Sequence, residues 1–124
     1  MHKSRLAGLV IDSQGGEKSS AIEFWARALG WPCHETDEKY GKLATPPDQL
    51  DVLIQQVDHP SRVHLDIETD DIEAEVARLE GLGAQVVERL ERWTIMEAPT
   101  GHRFCVVHPQ RPDFEDADNV NAWA

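Results

Sequence analysis

The sequence has little cysteine and no long apolar run. Cys33 and Cys105 are the two cysteines among 124 residues, and neither belongs to a CxxC or cysteine–histidine zinc spacing. A pair of isolated cysteines excludes a disulfide framework. No stretch approaches the roughly 18 consecutive apolar residues of a membrane-spanning helix, and the N-terminus lacks the apolar core of a signal peptide. We therefore predict a cytoplasmic protein with free thiols.

Basic residues are scarce as well. The chain has 12 lysines and arginines against 23 acidic residues, which gives a formal net charge of -11. Phosphate backbones and anionic membrane surfaces are bound by basic faces, so the charge argues against nucleic acid and membrane as partners. The apolar fraction of 40% and the four tryptophans are enough for one packed domain, and they exclude collagen, coiled coil and wholesale disorder.

The first half of the chain predicts one strand, one helix and three further strands. The apolar run 6–12 has the length of a strand. The following helix is predicted over 19–30, with Ser20 and Glu23 as a capping box and Gly30 as the stop signal. The remaining strands of this half are predicted at 31–35, 40–44 and 51–57.

The second half repeats that order. Apolar and polar residues alternate over 63–68, which is typical of a half-buried strand. A helix is predicted over 71–82, with Asp70 and Asp71 as N-cap candidates and Glu73 completing a capping box with Asp70. The remaining strands are predicted at 85–90, 93–98 and 103–108.

Two βαβββ segments in tandem predict an α+β fold built from an internal repeat. We expect a single domain over 1–124, with module one at about 5–57, module two at about 62–109 and an acidic tail at 110–124. Each helix is expected to cover one face of its sheet, and the sheets to curl into a cup. A concave, partly apolar cup suits a small ligand.

Several stretches carry a family resemblance. They are 21–31 (AIEFWARALGW), 63–67 (VHLDI), 70–79 (DDIEAEVARL), 82–84 (LGA) and 96–107 (MEAPTGHRFCVV), together with Trp93. The chain resembles the glyoxalase-like branch of the vicinal-oxygen-chelate superfamily over about residues 5–109. The resemblance implies tandem βαβββ modules that form a cup-shaped mixed sheet with the helices on its outer face.

The resemblance does not select one chemistry. The superfamily includes glyoxalase I, extradiol dioxygenases, methylmalonyl-CoA epimerase, fosfomycin-resistance thiol transferases and metal-free bleomycin-binding proteins. Metal-dependent members place ligands at positions that fall here at or near Gly8, on His64 and on Cys105. Glycine has no side chain that could ligate, and the glutamate of those members is replaced by a thiol. The resemblance therefore implies a degraded metal site, and we expect no metal and no cofactor.

His64 is the candidate catalytic residue, because an imidazole takes either protonation state near neutral pH. The alternative is a hydrogen-bonded wall residue. Asp66 points to the same side of the strand and is expected either to orient the ring or to balance its charge. Cys105 is either a buried, inert thiol or a nucleophile, and Trp93 is either a core residue or an aromatic wall. The predicted ligand-binding residues are His64, Asp66, Trp93, Ile95, Cys105, Val107 and Val10.

Three functions remain open at this point, and whether the protein is an enzyme is open with them. The first is a protein that binds a small, partly aromatic organic molecule, as bleomycin-binding relatives do. The second is a metal-dependent lyase, isomerase or thiol transferase of the glyoxalase type. The third is a metal-free enzyme that uses His64 as acid and base. The resemblance also implies a homodimer, in which Trp123 of the tail is a candidate contact with the partner.

Overall fold

The computed structural model describes all 124 residues apart from the side chain of Glu35. The described chain forms two helices and nine strands. The helices are α1 (Lys18–Leu29) and α2 (Ile72–Gly81), and the strands are β1 (His2–Gln14), β2 (Cys33–Thr36), β3 (Tyr40–Leu43), β4 (Asp51–Val57), β5 (Arg62–Thr69), β6 (Gln85–Arg89), β7 (Trp93–Glu97), β8 (Arg103–Val107) and β9 (Asn121–Trp123). Neither described helix is long and apolar enough to cross a membrane.

The chain divides into two compact units. The first unit is Gly8–His64, and the second unit is Met1–Ala7 together with Leu65–Ala124. The first seven residues and the tail both belong to the same unit as the second half of the chain. Strand β1 is continuous in the chain. Its residues 2–7 belong to the second unit, and its residues 8–14 belong to the first unit.

Each unit contains the same arrangement of strands. In the first unit the order is β2-β3-β4-β1, with β1 and β4 parallel and the other pairs antiparallel. In the second unit the order is β6-β7-β8-β5, with β5 and β8 parallel and the other pairs antiparallel. One helix follows the first strand in each case. The predicted α+β fold with tandem βαβββ segments is confirmed.

In both units a helix buries one face of the sheet. Ile22 of α1 packs into a cluster with Leu43, Val52 and Ile54. The contact with the strands is close, because a Cβ atom at Gly41 would lie 2.4 Å from Cδ1 of Ile22. The equivalent cluster of the second unit comes from α2 and the strands beneath it, and its buried members are Val76, Leu79, Ala84, Met96, Phe104 and Val106.

The helix ends confirm part of the capping predictions. Gly30 caps α1 with φ 81°, a left-handed conformation that favours glycine. The side chain of Asp71 caps α2 by accepting a hydrogen bond from the backbone N–H of Ala74 at 3.0 Å. The predicted box of Ser20 and Glu23 is wrong, because α1 already begins at Lys18 and places Ser20 inside the helix.

The box of Asp70 and Glu73 is wrong for a different reason. The carboxylate of Asp70 accepts a hydrogen bond from the backbone N–H of Lys3 at 2.8 Å. Glu73 forms an exposed ion pair with Arg89 at 3.3 Å. Neither side chain therefore caps α2 as predicted. The sequence around Asp70 does not indicate that this residue binds the backbone of Lys3 in β1.

The tail is held by a buried ionic network. Arg5 is only 5% exposed. Its Nε donates to Oε2 of Glu68 at 2.7 Å, and its Nη2 donates to Oδ1 of Asp113 in the tail at 2.6 Å. The other oxygen of Glu68 accepts hydrogen bonds from the backbone N–H groups of Gln110 and Arg111 at 2.6 and 3.0 Å. A segment without periodicity is thereby fixed by polar contacts.

Trp123 contacts its own chain. Strand β9 pairs with residues 2–4 of β1. The indole Nε1 of Trp123 donates to Oγ of Ser4 at 2.8 Å, and the guanidinium of Arg78 lies 3.8 Å from the centre of the ring. Trp123 therefore contacts residues of the second unit, and its contact with a partner subunit stays a prediction. The homodimer itself stays a prediction.

Removing Arg5 is expected to destabilise the fold strongly. Arg5→Met leaves the fully buried Glu68 carboxylate without its cation, and breaking one side of a buried pair typically costs about 3–5 kcal/mol. The matched control is Arg27→Met, because Arg27 forms an ion pair with Glu23 in which both side chains are exposed. That pair is worth about 0–1 kcal/mol. Urea unfolding of the two variants measures the difference, and equal losses would contradict the assignment.

Glu75 is expected to make the protein sensitive to acid. Burial alone would raise the pKa of Glu75, but hydrogen bonds from Arg78, His2 and Ser4 outweigh it and hold the pKa below its ordinary value. A depressed folded-state pKa contributes stability above the unfolded-state pKa, and this contribution is lost as the pH falls through the folded-state value. The free energy of unfolding should therefore decrease below about pH 4.5, the ordinary value, and less steeply in Glu75→Gln.

Urea unfolding at a series of pH values between neutral and strongly acidic conditions measures this slope. Glu115→Gln is the control, because Glu115 is an exposed tail residue. If the slope for Glu75→Gln equals that of the unmodified protein, the hydrogen bonds to Glu75 do not stabilise the fold.

Candidate functional site

A buried aspartate holds His64 in the first unit. Asp12 lies near the end of β1 and is 2% exposed. The Nδ1 atom of His64, at the start of β5, lies 2.8 Å from Oδ2 of Asp12. A carboxylate can only accept a hydrogen bond, so the proton lies on Nδ1 of the imidazole. The ring of His64 is thus oriented by a residue that sequence analysis treats only as the end of a strand.

Two more basic side chains approach the same carboxylate oxygen. The Nε atom of Arg62 lies 3.6 Å from Oδ2 of Asp12, and the Nε2 atom of His59 lies 3.9 Å from it. His59 also donates from Nδ1 to the carbonyl of Pro60 at 2.9 Å. Its Nε2 lies 3.4 Å from Nη2 of Arg62. We call Asp12, His59, Arg62 and His64 the Asp12 cluster.

The second oxygen of Asp12 has no hydrogen-bond partner among the described residues. Of the buried side-chain nitrogens and oxygens that the structure describes, Oδ1 of Asp12 is the one without a hydrogen bond. A buried acceptor left unpaired costs about 1–3 kcal/mol. Such a cost is unusual in a folded protein and is typical of positions retained for another reason.

Sequence reasoning missed three members of the Asp12 cluster. Asp12 has the same strand parity as Gly8 and Val10, so a polar residue at the end of an apolar strand was the available signal. His59 and Arg62 flank a proline in a segment that reads as a linker. His59 and Arg62 approach Asp12 because segments that are distant in the chain lie together in the fold. The spacing of residues in the sequence does not show this.

The second unit brings the other predicted residues onto one face of its sheet. Cys105 of β8 is the register partner of Asp66 on one side and of Ile95 on the other. Trp93 is opposite Val107. The five side chains are all half-buried; they are Asp66, Trp93, Ile95, Cys105 and Val107. The alternate positions along β8 pack in the core beneath α2, so these five residues form the helix-distal face of the second unit.

The remaining predicted residue, Val10, lies in the first unit. It is 2% exposed and is the register partner of Leu53. The predicted set thus divides, with Val10 and His64 in the first unit and the five residues of the helix-distal face in the second. Their assigned roles in ligand contact stay predictions.

No side chain that could bind a metal fits at position 8. A Cβ atom built on Gly8 would lie 2.4 Å from the backbone oxygen of Asp51 on the neighbouring strand. Carbon and oxygen do not approach so closely, so any side chain at this position would displace β4. Gly8 therefore offers no side chain as a metal ligand, and the degraded metal site stays a prediction. We derive no chemical step through a metal.

Comparison with known families identifies the fold. Residues 9–107 match the model of the glyoxalase-like domain. The chain belongs to the glyoxalase-like domain family. Comparison with curated protein sequences finds no match.

Solved structures support the same fold for this glyoxalase-like domain. A methylmalonyl-CoA epimerase variant from Streptomyces coelicolor is similar with a TM-score of 0.62 and 16% identity, over 84% of this chain and 93% of that one. The Mn(II)-bound glyoxalase from Novosphingobium aromaticivorans gives 0.58 and 17%, over 85% and 40%. Homoprotocatechuate 2,3-dioxygenase from Arthrobacter globiformis gives 0.61 and 18%, over 86% and 38%. These neighbours show that the domain has the same fold as they do.

Proposed function

We propose that this glyoxalase-like domain binds a small organic molecule on the helix-distal face of the second unit. The observation that carries the proposal is the register of that face. Trp93 lies opposite Val107, Ile95 lies opposite Cys105, and Asp66 flanks Cys105 on the other side. All five side chains are half-buried rather than packed in the core. Small-molecule sites are typically apolar and aromatic with few polar groups, and this face has that composition.

The composition favours a ligand with a flat apolar part and one donor group. The indole of Trp93 offers a large surface to an aromatic ring. The carboxylate of Asp66 accepts hydrogen bonds from a hydroxyl or amine. At the end of the face Arg103 and Glu97 form an ion pair at 3.1 Å. The solved neighbours support this class, since their names include a complex with 2-nitronate-propionyl-CoA and a dioxygenase of homoprotocatechuate.

A thermal-shift screen tests the binding proposal. The probes are catechol, benzoate, phenylpyruvate and propionyl-CoA, and a bound probe raises the melting temperature by mass action. Replacing Trp93 by Leu should weaken binding of any positive aromatic probe by about 0.5–1.5 kcal/mol, because an aromatic contact is lost. The control is Val87→Ala on β6, since Val87 is 44% exposed. Unchanged affinity in Trp93→Leu would refute the proposed face.

Proton transfer by His64 is a second candidate function, and the hydrogen bond that its Nδ1 donates to Asp12 at 2.8 Å favours it. A buried carboxylate on one ring nitrogen is the arrangement that orients a histidine as general base. The substrate would be a small molecule with a weakly acidic proton, such as a C–H group next to a carbonyl.

Deuterium exchange measures this activity without knowledge of the natural substrate. Pyruvate and phenylpyruvate are incubated in D₂O with the purified domain, and loss of their proton signals is followed by NMR. His64→Ala should slow exchange at least about 100-fold, the contribution of a general base. The exposed His34 supplies the control, His34→Ala. Exchange that persists in His64→Ala, or that stops with EDTA and returns with added Zn²⁺, would exclude the metal-free mechanism.

A further inference from the structure

We infer that Arg103 binds the carboxylate of an aryl-substituted carboxylic acid whose apolar part lies along the helix-distal face. This inference rests on the proposed binding function of that face. It adds a specificity-determining residue to the site, and it assigns both the charge of the ligand and the direction in which the ligand lies.

Arg103 lies at one end of the helix-distal face. It alternates with buried Phe104 along β8, so its side chain lies on the same side of the sheet as Cys105 and Val107. Its register partner on β7 is Glu97. Strands β7 and β8 contain one basic residue, which is Arg103. A cation is therefore present where the apolar part of the face ends.

The fold uses only part of the guanidinium of Arg103. Its Nε donates to Oε1 of Glu97 at 3.1 Å, and the side chain forms no other hydrogen bond with the described residues. Arg5 of the same unit, by contrast, donates from Nε, Nη1 and Nη2 to other side chains. The side chain of Arg103 is 37% exposed. Its two Nη atoms are therefore accessible donors beside an apolar surface.

A carboxylate is the group that fits these two donors. Parallel N–H groups of a guanidinium donate to both oxygens of a carboxylate, and charge makes such hydrogen bonds stronger than neutral ones. Because a guanidinium has five N–H donors, Nε of Arg103 keeps its bond to Glu97 while the two Nη atoms bind the ligand. A doubly charged phosphate would meet stronger repulsion from the carboxylates of Glu97 and Asp66 than a singly charged group.

The register of the strands determines the shape of the ligand. Trp93 and Glu97 are the first and last residues of β7, and the rise of a strand separates them by roughly 13 Å. Ile95 and Cys105 lie between the two ends. A ligand with its ring against Trp93 and its carboxylate at Arg103 therefore needs an alkyl chain between the two groups. We expect 4-phenylbutyrate to bind more tightly than benzoate.

The test compares probes of one shape and different charge by titration calorimetry. The probes are 4-phenylbutyrate, 4-phenylbutanol and 4-phenylbutylamine. The unmodified protein should bind the acid at least about tenfold more tightly than the alcohol, because a charged hydrogen bond is gained. The net charge of -11 repels the acid and attracts the amine at long range, so a preference for the acid reports a local contact.

Arg103→Met should lower the affinity for the acid at least about tenfold and leave that for the alcohol within about twofold. The matched control is Arg89→Met, because Arg89 is an exposed arginine of the same unit that pairs with Glu73 at 3.3 Å. This control should keep the preference for the acid. The comparison of the three probes on the unmodified protein does not depend on the folding of any variant.

Equal affinities for the acid and the alcohol, or tighter binding of the amine, would overturn the inference. An affinity for the acid that is the same in Arg103→Met would overturn it as well. If the alcohol binds in these cases and Trp93→Leu weakens its binding, the proposed face stands while the role of Arg103 fails. If none of the three probes binds, the inference is overturned, and the thermal-shift screen decides the binding function separately.

Discussion

The buried pair of Arg5 and Glu68 is the interaction on which the second unit depends. Two ions placed inside a protein lose their hydration, and their mutual attraction repays that loss only when the remaining hydrogen-bonding capacity is also satisfied. Here the tail provides the missing partners. Asp113 accepts from the guanidinium, and two consecutive backbone N–H groups of the tail donate to Glu68. The first strand, β5 and the tail therefore have to be in place together.

This constraint explains why an acidic tail folds at all. A polar segment without hydrophobic periodicity normally remains solvated. In this chain the tail supplies further hydrogen-bond partners to the buried Arg5–Glu68 pair, and Phe114 beside it is 2% exposed. The guanidinium of Arg5 also lies 5.8 Å from the centre of the Phe114 ring. One arginine near the N-terminus thus determines the conformation of residues more than a hundred positions later.

Local rules predicted the elements of the fold well and the long-range polar contacts poorly. Both helices begin and end within one residue of their predicted positions, because Gly30 and Asp71 carry local signals for a helix end and a helix start. Strand β9 was missed, since three residues provide no periodicity and their pairing partner lies at the other end of the chain. The capping boxes failed where a side chain found a distant partner, as Asp70 does with Lys3.

The same limit applied to the candidate site. The strand alternation that buries Phe104 and Val106 also predicts which residues of β8 face away from the helix, and the register of the second unit agrees with it. By contrast, the hydrogen bond that Nδ1 of His64 donates to Asp12 was not predicted, because the two residues are 52 positions apart in the chain. Strand alternation indicates which face a side chain lies on, but not which distant residue it contacts.

A carboxylate bound to Nδ1 of a histidine has two common uses in proteins. It orients a ring whose other nitrogen binds a metal, or one whose other nitrogen accepts a proton. The choice between them depends on what else surrounds the ring. At Gly8 the backbone of β4 approaches so closely that no side chain fits, and a Cβ there would lie 2.4 Å from the oxygen of Asp51. Gly8 therefore offers no side chain as a ligand, whereas Asp12 and His64 of the same unit form a close pair. The proposed acid–base function is the second of these two uses.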